Sequence, residues 1–255
     1  MTGAKQVPAD DLRVVSHPDP QALASAVAAR LITAALDAIS VRGRADLVLT
    51  GGGAGIAALA AVPLSPAASA VDWEAVHVWW GDERFLPAGD PDRNATQARA
   101  ALGEAIRIPT SNVHEMPAAD ERSPDVDVAA ARYAEELSRE AEQGSPAPAF
   151  DVLMLGIGPD GHVASLFPGH PALDHAGASV VGVRESPKPP PLRVSLTMPT
   201  IRSAQRVWLI ASGAGKARAV ERAQSHADIH QCPAAHARGR LESLLLADED
   251  ALGSR

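Results

Sequence analysis

Short apolar runs alternate along this chain with longer stretches in which apolar positions recur at helical spacing. The runs Asp46–Thr50, Val76–Trp80, Val152–Leu155, Arg193–Leu196 and Arg206–Ala211 predict strands. Helical spacing marks Pro20–Ile39, Ile56–Ala61, Asn94–Leu102, Asp125–Glu142 and Lys216–Ala223. Asp19 is placed to cap the first helix, with Pro20 at its first position. Pro63–Ala70, Gly144–Ala149 and the Pro-rich Ser186–Pro191 read as connectors. Strand, glycine-rich turn and helix recur three times, and no internal repeat is present. This alternation predicts an α/β class: a Rossmann-like, three-layer fold with a mostly parallel sheet flanked by helices. Several loops should then converge on one edge of the sheet.

Composition narrows the function. Aromatics are only 3% of the chain, so the core must rest on Ala, Val, Leu and Ile. The length of 255 residues suits one large α/β domain or two small ones, and we read 1–255 as one. A net charge of −8 argues against general binding to nucleic acid or an anionic membrane, so any cation that holds an anionic ligand must act locally. The single cysteine, Cys232, excludes an internal disulfide, and there is no CxxC pair. Met1–Leu12 lacks an apolar leader core, and no uninterrupted apolar run reaches membrane length. A soluble, cytoplasmic protein is expected.

The segment from Asp151 to His170 carries the chemistry. Its strand breaks into Gly156, Gly158, Pro159 and Gly161, and the loop presents Asp160 and His162 two residues apart. Ligands of open α/β sheets bind at the carboxyl ends of strands, and imidazole suits general base work near neutral pH. His170 and His175 read as loop residues.

Four other segments are candidates for ligand contact. Thr50-Gly51-Gly52-Gly53-Ala54-Gly55 joins a strand to a helix, where glycine backbone and free N–H groups favour an anion. A dinucleotide fingerprint also fits Gly53-x-Gly55-x-x-Ala58, with Asp72 as its acidic partner. The Pro63–Ala70 connector occupies the place where a second strand should deliver that residue. Ser212-Gly213-Ala214-Gly215-Lys216 lacks Walker spacing yet sets a lysine beside glycines at a helix start, suited to a phosphate monoester. Arg193 begins a strand after the Pro-rich loop that carries Lys188, and either is a surface charge or a phosphate contact. Gly81-Asp82-Glu83-Arg84, with Asn94 beyond it, is either a polar ligand contact or an ordinary turn with an internal ion pair. His226, Asp228, His230, Cys232 and His236 have metal-like types, but Cys232-Pro233 breaks the pattern and no metal is expected there. No G-x-S-x-G elbow occurs.

Taken in order, Thr50-Gly51-Gly52-Gly53, Trp80-Gly81-Asp82-Glu83-Arg84, Asn94, Gly156-Ile157-Gly158-Pro159-Asp160-Gly161-His162, Ser186 to Arg193 and Gly215-Lys216-Ala217 resemble the glucosamine-6-phosphate isomerase/6-phosphogluconolactonase family, and its lactonase branch in particular. The resemblance is clearest over 20–222, and the tail Ser225–Arg255 fits less well. It implies the glucosamine-6-phosphate deaminase-like fold and hydrolysis of 6-phospho-D-glucono-1,5-lactone to 6-phosphogluconate, a step of the oxidative pentose phosphate pathway. It also implies no metal or organic cofactor. The implied partner is a small sugar phosphate, bound by a monomer or weak homo-oligomer. His162 would be the base, with Asp160 orienting it or binding a hydroxyl. Lys216, Arg193 and the Gly52 and Gly53 amides would hold phosphate, with Lys188, Arg84 and Asn94 as secondary contacts. The deaminase branch typically continues with Asn-Glu-Pro where this chain has Ser165-Leu166-Phe167-Pro168. The alternatives are glucosamine-6-phosphate deamination and a non-catalytic sugar-phosphate sensor.

Overall fold

The structure is a computed structural model that describes residues 11–175 and 177–253. Most of the amino-terminal segment read for a leader, Met1–Asp10, lies outside the described residues, as do Ala176, Ser254 and Arg255. Ten strands are described: β1 (Arg13–His17), β2 (Ala45–Leu49), β3 (Val76–Trp80), β4 (Asp82–Arg84), β5 (Val113–His114), β6 (Val152–Gly156), β7 (Val180–Val183), β8 (Arg193–Leu196), β9 (Arg206–Ala211) and β10 (Glu242–Asp248). The helices are α1 (Pro20–Arg42), α2 (Gly53–Ala61), α3 (Asn94–Leu102), α4 (Val126–Glu140), α5 (Met198–Ser203) and α6 (Ala217–Ala223).

Seven strands form a parallel sheet in the order β1-β10-β9-β6-β2-β3-β5. The chain runs outward from β2 through β3 to β5, then returns to place β6 on the other side of β2. That reversal is a topological switch point, where the loops leaving β2 and β6 diverge and open a crevice. Its walls are the two glycine-rich loops singled out in the sequence. The Thr50 hydroxyl accepts the Gly156 N–H at 3.2 Å and ties them together.

β2 is buried along its whole length, and most of β6 is buried too, as a central parallel strand requires. The core is one contiguous cluster, and Ala, Val, Leu and Ile dominate it as composition predicts. α1 begins where expected, with the Asp19 carboxylate accepting the Ala22 N–H at 2.7 Å, and ends at left-handed Gly43. By length and composition α1 could cross a membrane, which refines the expectation from apolar runs alone. Here nine of its residues, from Leu23 to Ala38, are buried in the core.

Two features depart from the sequence reading. Asp82–Arg84 is not a turn but the edge strand of a small antiparallel sheet, β4-β8-β7. The strand–glycine turn–helix unit holds after β2 and β9, whereas the path from β3 to α3 passes through β4. The weakly matching tail supplies β10, an interior strand of the main sheet.

Candidate active site

The loop after β6 folds back on itself. Gly158 N–H bonds the His162 carbonyl and Gly161 N–H bonds the Gly158 carbonyl, both at 2.9 Å. This turn sets the Asp160 carboxylate 2.6 Å from His162 Nδ1. An ionised carboxylate only accepts, so Nδ1 carries the hydrogen and Nε2 keeps its lone pair. Gly158 is required by close approach: a Cβ there would lie 2.0 Å from His162 Nδ1 and 2.5 Å from the Asp160 carboxylate. The Phe167 ring packs against the imidazole, with centroids 4.5 Å apart.

Lys188 Nζ lies 3.5 Å from Asp160 Oδ1 and 3.4 Å from His162 Nδ1. Two donors cannot bond each other, so its attraction is to the carboxylate. Burial raises the Asp160 carboxyl's pKa, but the hydrogen bond from His162 and the positive charge of Lys188 outweigh burial and hold it well below the usual range. Asp160 is therefore a carboxylate across the physiological range.

His162 lines a cavity of about 280 Å³ together with Gly52, Arg84, Asn94, Lys188, Arg193 and Lys216. Seven of the nine residues expected from sequence thus share one space. Asp160 stands behind His162 rather than on that wall, and Gly53 lines an adjoining cavity of about 350 Å³. The two cavities share Gly51, Gly52, Gly156, Ile157 and Lys216. A larger cavity of about 540 Å³, lined chiefly by apolar side chains such as Leu49, Val78, Ile106 and Val113, lies towards the β5 edge. Convergent polar groups, not size, mark the crevice as the candidate site.

α2 starts at Gly53, earlier than sequence suggests. Its N-cap, Gly52, sits at φ +80 and offers no side chain to the first turn. The opening amides have no intrahelical acceptor and face the paired cavities. Lys216 reaches the same place and donates to the Ile157 carbonyl at 2.8 Å. Burial, then the charge of Lys188, lowers its ammonium pKa. The Lys216 loop is fixed from the tail: Asp248 accepts from the Ser212 hydroxyl at 2.5 Å and from Gly213 N–H. Sequence reasoning missed Asp248, whose only signal is a carboxylate ending an apolar run.

The acidic turn divides its duties. Glu83 is fully buried and accepts N–H bonds from Arg84, Asn94 and Ala95, with Arg93 Nη2 at 3.7 Å. It is a cap for α3, so the reading as an internal ion pair applies to Glu83. Asp82 accepts the Ser165 hydroxyl at 2.7 Å and, with Arg84, lines the cavity. Asn94 donates to the Asp82 carbonyl at 2.8 Å, while its buried Oδ1 has no partner among the described residues. Arg193 is buried, not a free surface charge. It bonds the carbonyls of Lys188, Pro189 and Pro190 and lies over Phe167, 5.7 Å from the ring centroid.

The metal-like patch does not converge. His236 bonds the Ala227 carbonyl, His230 lies 3.3 Å from Asp174, and Cys232 is buried. His170 caps the 3-10 turn through Ala172 N–H. Asp72 caps a turn through Glu74 N–H, not a ribose-binding strand end.

Fold and site together define an α/β enzyme with a histidine–carboxylate pair at the switch point of a parallel sheet. The family profile described as "Glucosamine-6-phosphate isomerases/6-phosphogluconolactonase" matches residues 18–246, so the chain belongs to that family, and the match takes in most of the tail. It is 51% identical to a 6-phosphogluconolactonase of Streptomyces coelicolor over 95% of this chain and 94% of that one. Identity to a 6-phosphogluconolactonase of Mycobacterium tuberculosis is 48%, over 92% and 94%. Among solved structures, the 6-phosphogluconolactonase of Trypanosoma brucei superposes with a TM-score of 0.80 at 26% identity, covering 96% and 98%. A monomeric glucosamine-6-phosphate deaminase shares the fold, with a TM-score of 0.76 at 22% identity over 96% and 100%.

Proposed function

We propose that the chain, acting as one domain, hydrolyses 6-phospho-D-glucono-1,5-lactone to 6-phosphogluconate, with His162 as general base. Family membership and the lactonase relatives support the reaction. One observation carries the mechanism: His162, held 2.6 Å from Asp160, lines a cavity that shares walls with the uncapped start of α2. The lone pair on Nε2 takes a proton from water as oxygen attacks C1. The resulting imidazolium then gives a proton to the ring oxygen as the C1–O bond breaks. Asp160 fixes the tautomer and steadies the transient imidazolium, as a carboxylate does in a catalytic triad. Arg84 and Arg193, which line the same cavity as His162, are assigned as charged donors to the developing oxyanion.

The phosphate is assigned to the amides of Gly52 and Gly53 with Lys216, where helix terminus and ammonium act together. Lys188 neutralises Asp160 beside that pair. Asn94 Oδ1, buried and unpartnered, suits a substrate hydroxyl. Gripping the phosphate positions the carbonyl against the base. Ser165 is spent on Asp82 and Phe167 on packing the imidazole, so this stretch brings no carboxylate to the ring, which favours lactone hydrolysis over amino-sugar deamination.

The test is the disappearance of freshly generated lactone against its spontaneous rate, with ammonia release from glucosamine 6-phosphate followed in parallel. Acceleration without ammonia is expected. Ammonia release, or tight sugar-phosphate binding without turnover, would replace the proposal by the deaminase or the sensor.

A further inference from the structure

At the opposite end of the main sheet, three side chains converge that the hydrolytic site does not use. His77 on β3, His114 on β5 and Glu140 on α4 present ligand atoms that all lie within 4.8 Å of one another. We propose that they form a binding site for a Zn²⁺-class divalent cation, using His77 Nδ1, His114 Nε2 and a Glu140 carboxylate oxygen.

The two imidazole nitrogens are 3.0 Å apart. Two nitrogens on a tetrahedral zinc sit about 3.3 Å apart, given bonds near 2.05 Å. The pair therefore has to open by only a few tenths of an ångström. His114 is already oriented as a zinc ligand needs to be. Its other nitrogen lies 2.8 Å from Glu136 Oε1, and its ring stacks on Trp79 at 3.7 Å between centroids. A carboxylate on the far nitrogen of a ligating histidine fixes the ring and strengthens the ligand. Glu136 and Glu140 stand one turn apart on α4, so a single helical face supplies both the orienting and the ligating carboxylate.

Arg44 occupies one Glu140 oxygen at 2.9 Å but is itself forked onto Asp46, leaving the second Glu140 oxygen for the cation. Without a metal, one proton bridges the two imidazoles. On binding, the His77 proton moves from Nδ1 to Nε2, so charge and atoms balance with no proton released from the neutral pair. Three protein ligands leave a fourth position for water. In register His77 faces Asp46, four residues before the Thr50 that lines the catalytic crevice, so the two sites are separate. The two-residue strand β5, at the edge of the sheet, would be clamped to β3 and α4.

The experiment titrates chelator-treated full-length protein with Zn²⁺ and with Co²⁺, reading stoichiometry by calorimetry, thermal midpoint, and the visible spectrum of tetrahedral cobalt. One ion per chain, a raised midpoint and a cobalt spectrum are expected. Affinity should fall about 10- to 100-fold in Glu136→Gln and further in His77→Ala and Glu140→Gln, while His162→Ala binds as wild type. Glu140 is exposed, so its variant keeps the fold, and Glu140→Gln should also retain wild-type lactone turnover. Absence of saturable binding would overturn the site, as would binding that survives both His77→Ala and Glu140→Gln or is lost in His162→Ala.

Discussion

The two ends of strands β2 and β6 carry charge in opposite ways. At their amino ends, Arg42 pairs with Asp151 and Arg44 with Asp46 and Glu140, and Asp151 also accepts the Asp46 N–H at 2.8 Å. Each ion there has its answer within the fold. At their carboxyl ends, Arg84, Lys188, Arg193 and Lys216 gather around two carboxylates, Lys188 3.5 Å from Asp160 and Arg193 4.0 Å from Asp82, and the N-cap of α2 is a glycine with no capping side chain. One end is closed and structural. The other keeps cations and donors in excess, which is what an anionic ligand requires in a chain of net charge −8.

Mutations should separate the two ends. The largest effect is expected at the carboxyl end: His162→Ala should lower kcat/KM about 10²- to 10⁴-fold while the chain remains folded. Near wild-type turnover by the folded variant would remove His162 from the mechanism. At the amino end the effect should be on stability alone. Asp151→Ala leaves Arg42 without its nearest partner and should cost about 3 kcal/mol, read by urea unfolding, with turnover per folded molecule retained. A loss of kcat instead would show that the ends are coupled.

Lys216→Ala should raise KM about 10- to 100-fold, the worth of a charge-assisted phosphate contact, and leave kcat nearly unchanged. Because burial and Lys188 lower the Lys216 pKa, KM should begin to rise with pH earlier than for an ordinary lysine. Lys188→Gln should move that rise to higher pH. An unchanged KM in Lys216→Ala would take phosphate away from this lysine.

The smallest effect concerns acid stability. Asp160 titrates lower in the folded than in the unfolded chain, so its contribution is complete above the ordinary carboxylate range. It is lost as pH falls through the folded value. Wild type should therefore lose stability on acidification more steeply than Asp160→Asn. Parallel acid limbs would show that the pair does not stabilise the fold.

Local signals were strong where neighbours in sequence do the work. The Asp19 cap, the apolar strands β3, β8 and β9 and the glycine turns were legible because propensity, capping and burial act over a few residues. The Asp160–His162 pair was legible as a site for the same reason. Its geometry rests on a tight turn within the loop. Strands β1, β4, β5, β7 and β10 were not found. Two- to seven-residue strands take their stability from pairing across the chain, and β10 lies in a tail whose pattern alone does not declare it.

By itself, then, the sequence determined the α/β class, the Asp160–His162 pair proposed here as base and orienting carboxylate, and which glycines and cations lie near it. Tertiary structure decided which charges are free. Glu83 and Arg93 are consumed inside, Arg193 is held by three carbonyls, and Asp248 returns from the far end of the chain to fix the Lys216 loop. Only the three-dimensional path brings His77, His114 and Glu140 together. The physical reason is range: turns and caps are set by bonds between residues a few positions apart, whereas the state of a charge depends on every group that folding brings within a few ångströms of it.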